Sequence, residues 1–271
     1  MRSLVERFLL APWRSIATAA AEERRAANLP DGAIDPRVPC TLVLVALVMV
    51  FQEYYGDRDF FSRVFSTRLA NNPNYDLLSF CWWTGCKIFG YVVLPLCALR
   101  IGKIKLADIN TSRAGLVKHL RVYAILYVVV VPFVFFASRT HAFQTTYPFY
   151  KMAARSWRDL LAWELMYASS FVALELFYRG FILGMLRRSL GPYAIFVMIV
   201  PYCMIHFGKP VAESTGAIFA GIALGTLAMA TRSIWGGVII HISIAWTMDL
   251  LSILQTTGLP TPESAGRFVG Q

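Results

Sequence analysis

Apolar stretches separated by short polar connections recur along the chain at about 38–55, 76–101, 120–138, 160–186, 191–208, 214–231 and 234–255. Each is long enough to cross about 30 Å of hydrocarbon at 1.5 Å per residue, with allowance for tilt. The pattern predicts an all-α polytopic membrane protein of about seven transmembrane helices. An eighth half-span near 57–66 or within 1–15 remains open. The second stretch carries Lys87 and the fourth opens on Arg158 and Asp159, so these two are less uniform than the rest.

The flanks read differently. Residues 8–12 are too short an apolar core for a signal peptide, and Arg2, Arg7, Arg14, Arg24 and Arg25 alternate with Glu6, Glu22 and Glu23. Residues 1–37 are therefore expected to be a cytoplasmic segment, amphipathic and surface-lying or disordered. Residues 38–158 form a first set of membrane helices and 159–255 a second, and 256–271, with Pro260 and Pro262, form a tail expected to be disordered. The polar and aromatic connection 139–157 reads as an ordinary loop or an extramembrane cap.

Composition agrees with the pattern. Of 271 residues, 57% are apolar and 15% charged, with 19 Phe and 7 Trp. That leaves room for one membrane domain and no separate soluble one. The net charge of +10 lies in the connections, where positive-inside topology and anionic headgroups account for it, so nucleic acid is not an expected partner. Lys and Arg number 15 on the side of the N-terminus and nine on the other, which predicts a cytoplasmic N-terminus. Seven spans then place the C-terminus outside. The five cysteines lie in or beside apolar stretches without a Cys-x-x-Cys spacing, and they define no redox compartment.

Candidate chemistry is confined to the last four stretches. Ionisable groups at bilayer depth cost roughly 2.5–3.5 kcal/mol each on insertion scales, so they are usually paired, inward-facing and functional. Glu175 and Arg179 are four residues apart, on one helical face. A buried structural ion pair is the competing reading of that spacing. His206 ends the fifth stretch and His241 lies in the seventh, and two histidines beside a carboxylate favour function over packing. Ala217, Gly221 and Gly225 make a small-residue face that would draw neighbouring helices together. Glu164 shares a face with Glu175, three turns away. Asp249, two turns past His241, is either a catalytic substitute or the ion partner of Lys87 or Arg179. One carboxylate and two imidazoles also make a zinc ligand set, but His-Glu-x-x-His is absent.

Glu175-x-x-x-Arg179-Gly180, Tyr202 four residues before His206, Gly221-x-x-x-Gly225, and Thr231-x-Ser233-x-Trp235 leading to His241 together resemble the CAAX protease and bacteriocin-processing (Abi) family. The resemblance covers roughly 160–255. It implies a core of four helices around an intramembrane site that needs neither metal nor cofactor. Glu175 with His206 would activate water, and His241 would stabilise the oxyanion, with Arg179, Tyr202 and Asp249 in support. The substrate implied is a membrane-associated peptide or protein, in a bacterial cytoplasmic (inner) membrane. Two positions depart from the family pattern: Leu174 stands where the first of two glutamates is usual, and Ala245 where an asparagine follows the second histidine by one turn. A proteolytically inactive relative acting in binding, immunity or regulation is therefore the alternative. Residues alone fix neither the substrate nor an oligomeric state.

Overall fold

The computed structural model describes residues 6, 10–30, 32–69, 71–113 and 116–261. Most of the tail, 262–271, lies outside the described residues, as do 1–5 and 7–9 of the N-terminal segment. Among the described residues the chain is helical: α1 (Ala11–Ala26), α2 (Arg37–Tyr54), α3 (Arg58–Leu69), α4 (Tyr75–Ile88), α5 (Leu94–Ile101), α6 (Leu116–Ala137), α7 (His141–Thr146), α8 (Trp157–Glu175), α9 (Leu183–Leu190), α10 (Ala194–Met204), α11 (Val211–Thr231) and α12 (Trp235–Thr256). π-Helical turns at Phe89–Val93 and Leu176–Ile182 join α4 to α5 and α8 to α9.

Six stretches among the described residues are long and apolar enough to cross a membrane: Arg37–Tyr54, Tyr75–Ile101, His119–Ala137, Trp157–Met204, Val211–Thr231 and Trp235–Thr256. The fourth has 48 residues, which as one straight helix would measure about 70 Å, more than twice the hydrocarbon thickness. It turns at Gly191, whose φ of 52° is strained for any residue with a Cβ. That turn separates the expected fourth and fifth spans, and α10 packs back on α9 and the π turn. α10 has only 11 residues, a rise of about 16 Å, so the turn bearing His206 follows a half-length helix instead of ending a full span. Exposed side chains on α6, among them Val128, Phe133 and Phe136, form the apolar surface that lipid would cover.

The chain forms two compact units. The first comprises 1–50, 91–120 and 174–237. Here α1 is a docked helix. Pro12 sits in its first turn and Arg24 and Arg25 in its last, as N- and C-terminal preferences favour. Ile16 and Ala20 are buried. Trp13 donates to the Thr226 hydroxyl at 3.0 Å and meets Phe196 edge-on. The ion pairs of Glu23 with Arg187 and Arg232, and of Asp35 with Arg188, hold this segment against the ends of α9 and α11. Burial alone would raise the Asp35 carboxyl, but hydrogen bonds from Arg188, the Arg37 amide and Ser189 outweigh it and bring it to about 2. The small-residue face of α11 packs on α10. A Cβ at Gly221 would stand 2.9 Å from Ile199 Cγ1, and one at Gly225 3.2 Å from Ile195 Cγ2.

The second unit comprises 51–90, 121–173 and 238–271. Its core is aromatic, with Phe80, Tyr150, Trp163 and Tyr167 packed together around Ala245 and Ile253. The connection 139–157 is built into this core: α7 starts on a Thr140 cap and Phe143, Tyr147, Tyr150 and Ala153 are buried. Ser156 caps α8 reciprocally with Asp159, at 3.1 and 2.5 Å. Asp159 also takes a bidentate contact from Arg155, and the Tyr150 hydroxyl donates to it at 2.8 Å.

Candidate active site

In the first unit the candidate site is assembled on two consecutive pieces of chain. Glu175 is the last residue of α8 and Arg179 lies in the π turn that begins one residue later. Both side chains are completely buried, and Arg179 Nη1 is 3.2 Å from Glu175 Oε1. The guanidinium lies over the Tyr202 ring with its carbon 3.9 Å from the centroid. A planar cation between a carboxylate and an aromatic face is held in one orientation. Tyr178 meets Tyr202 and Tyr91 edge-on, and Tyr91 stacks on Phe177, so the ring under the guanidinium belongs to an aromatic cluster.

The carboxylate also faces the start of α12. A Cβ added at Gly237 would collide with Glu175 Oε2 and stand 2.9 Å from its Cδ. Only glycine lets the helix backbone approach the carboxylate this closely. Leu174, at the usual position of the first glutamate, is buried too.

His206 lies in the turn after α10. Its Nδ1 is 2.9 Å from the Tyr202 carbonyl, and its ring meets the Tyr202 ring at 4.9 Å. A carbonyl can only accept, so Nδ1 carries the proton and the lone pair of the neutral imidazole is on Nε2. The turn itself is pinned by Ser214, whose hydroxyl donates to the His206 carbonyl at 2.7 Å. Tyr202 thus touches Arg179 with its ring and His206 with both ring and backbone. The structure brings Glu175, Arg179, Tyr202 and His206 together as a chain of contacts.

His241 and Asp249 belong to the second unit. The His241 ring stacks on Phe171 with centroids 5.5 Å apart and planes at 12°. Asp249 is fully buried, and its Oδ2 accepts from Trp163 Nε1 at 2.7 Å. Ala245, the position where asparagine is usual, is packed in the aromatic core. Glu164 is partly buried, and its backbone carbonyl accepts from Trp246. No group of three His, Cys, Asp or Glu side chains among the described residues is arranged to hold a metal ion.

Three residues of this neighbourhood carry no signal in the sequence pattern. Gly237 is one of two adjacent glycines at a helix start, and Asn110 and Arg187 sit in or beside polar connections. Their importance is visible only once Gly237 is seen against the Glu175 carboxylate and Asn110 against the π turn.

The apolar helices and the buried ionic cluster define a polytopic integral membrane protein of the all-α class. Residues 156–247, about a third of the chain, match the family model of the Rce1-like type II CAAX prenyl endopeptidases. No curated protein and no solved structure matches the chain.

Proposed function

We propose that the protein is an intramembrane endopeptidase that hydrolyses a peptide bond of a membrane-associated peptide or protein through water activated by Glu175 and His206. The observation that carries this reading is a buried carboxylate linked to an oriented imidazole through Arg179 and Tyr202. Glu175 is held by Arg179, Arg179 lies over Tyr202, and Tyr202 fixes the tautomer that leaves His206 Nε2 as the basic nitrogen. A carboxylate and an imidazole in a water-poor setting are suited to take the proton of an attacking water and deliver it to the leaving amine. His241 is assigned the oxyanion, as the family pattern implies, because a donor is needed where negative charge develops. The extra residue of the π turn follows Glu175 directly. That placement supports Glu175 as the acting carboxylate although Leu174 holds the usual position.

The reading includes a cytoplasmic inner membrane with the N-terminus on the cytoplasmic side, supported by the Lys and Arg asymmetry. A second reading, a proteolytically silent relative that binds a membrane partner, is favoured by two observations. Leu174 is apolar, and Ala245 is sealed in an aromatic core. The test is cleavage of prenylated CAAX peptides and membrane-anchored peptides by the purified protein in liposomes. Glu175→Gln and His206→Ala should each abolish cleavage. Turnover that survives both changes rejects this assignment, and a wild type inert on every substrate favours the silent relative.

A further inference from the structure

The segment 106–113 meets the π turn through the buried side chains of Asn110 and of Ile109, whose Cδ1 lies against Gly180. Asn110 is fully buried, its Nδ2 donates to the Arg179 carbonyl at 2.8 Å, and its Oδ1 accepts from Arg187 Nη1 at 3.0 Å. A carbonyl only accepts and a guanidinium only donates, so the carboxamide fits in one orientation. The Leu183 amide bonds the carbonyls of Tyr178 and Gly180, on either side of the one that Asn110 takes.

The same segment is anchored elsewhere in the first unit. Arg187 reaches Glu23 of α1 through Nε at 3.0 Å and Nη2 at 2.8 Å. The Ser112 amide donates to the Arg232 carbonyl, and Trp235 Nε1 donates to the Thr111 carbonyl at 3.1 Å. Gly184 lets the loop approach so closely that a Cβ there would be 2.8 Å from Ile109 Cα. The loop is therefore tied both to the π turn and to the connection that launches α12, two residues before Gly237.

We propose that Asn110 is a positioning residue of the peptidase, holding the Arg179 carbonyl in the π turn and so fixing the register in which Arg179 meets the Glu175 carboxylate. This rests on the assignment of Glu175 made above. A π turn accommodates one residue beyond the α-helical repeat and relaxes when its backbone groups find other partners. Loss of that residue from the turn would rotate one side against the other by about 100°, enough to separate a 3.2 Å pair. Asn110 supplies the donor that makes the wide turn the preferred state, and Glu23 through Arg187 holds Asn110 in place.

Asn110→Asp tests this, because it keeps the shape and the acceptor for Arg187 while removing the donor to Arg179. In liposomes, kcat should fall at least tenfold with KM within twofold, since a displacement of about 1 Å in a catalytic group costs on the order of 100-fold. In detergent micelles, hydrogen exchange should rise in peptides covering 176–184 and not in those covering α11. Asn110→Ala should do the same and serves if the aspartate variant does not accumulate. An unchanged kcat overturns the proposal, and so does a loss shared by kcat, KM and melting temperature, which marks a general structural role. If the wild type cleaves nothing, the functional assignment fails on its own. The exchange data then decide: unchanged protection of 176–184 overturns the role of Asn110, and a local rise supports it.

Discussion

Breaking the Glu175–Arg179 pair should cost more than removing it whole. Both side chains are fully buried at 3.2 Å, where opposite unit charges attract by about 5 kcal/mol at an effective dielectric constant of about 20. Desolvation offsets most of that gain, so the intact pair contributes little net stability. Glu175→Gln removes the attraction and leaves a buried guanidinium over Tyr202, which should destabilise by about 3–5 kcal/mol. Arg179→Met alone strands the carboxylate and should cost a similar amount. The double variant replaces the pair with neutral groups, so its loss should be smaller than the sum of the two by at least about 2 kcal/mol. Unfolding of the purified protein by a denaturing detergent, followed by Trp fluorescence, measures the three losses. If the two single losses simply add, or each is below about 1 kcal/mol, the pair is solvated and the site is not the dry ionic cluster described above.

Gly237→Ala should push the Glu175 carboxylate off Arg179 and lower proteolysis at least tenfold with a modest loss of stability, read as cleavage rate against melting temperature. Asp35 gives a pH signature. Its folded value of about 2 lies below the ordinary 3.8, so its stabilisation is complete above about pH 4 and is lost as pH falls through 2. Asp35→Asn should accordingly destabilise by about 2 kcal/mol at pH 7, and the gap to wild type should narrow in acid melts. Gly221→Val should lower stability by about 1–3 kcal/mol, because its side chain enters the space held by Ile199. Ala245→Asn places an amide in the aromatic core and should lower the melting temperature whether or not activity rises.

Much of this architecture is legible in residue patterns. Span-length apolar runs mark the crossing helices, and the break between 160–186 and 191–208 marks the reversal that divides the longest one. The four-residue interval between Glu175 and Arg179 reads directly as one face, and the glycines of α11 read as a packing surface. The π turn does not read out, because an extra residue in an apolar run leaves no mark in a hydrophobic pattern. α10 is shorter than its apolar run suggests, since hydropathy continues into the turn that carries His206. The Trp163 indole, which donates to Asp249 Oδ2 at 2.7 Å, was equally hidden, because no local spacing links positions 163 and 249. The connection 139–157 is polar enough to read as a loop, but its aromatic residues fill the core of the second unit. Position-specific contacts between distant segments, such as Asn110 on Arg179 or Trp13 on Thr226, follow from the fold and from no local rule.

In the proposed mechanism Glu175 activates the water that cleaves the peptide. Single-turnover cleavage in water enriched in oxygen-18, read by mass spectrometry of the product, tests it most directly. Wild type should place one heavy oxygen in each new carboxylate, and Glu175→Gln should give no labelled product while retaining substrate binding. Labelled product formed by Glu175→Gln at the wild-type rate would mean that another group activates the water.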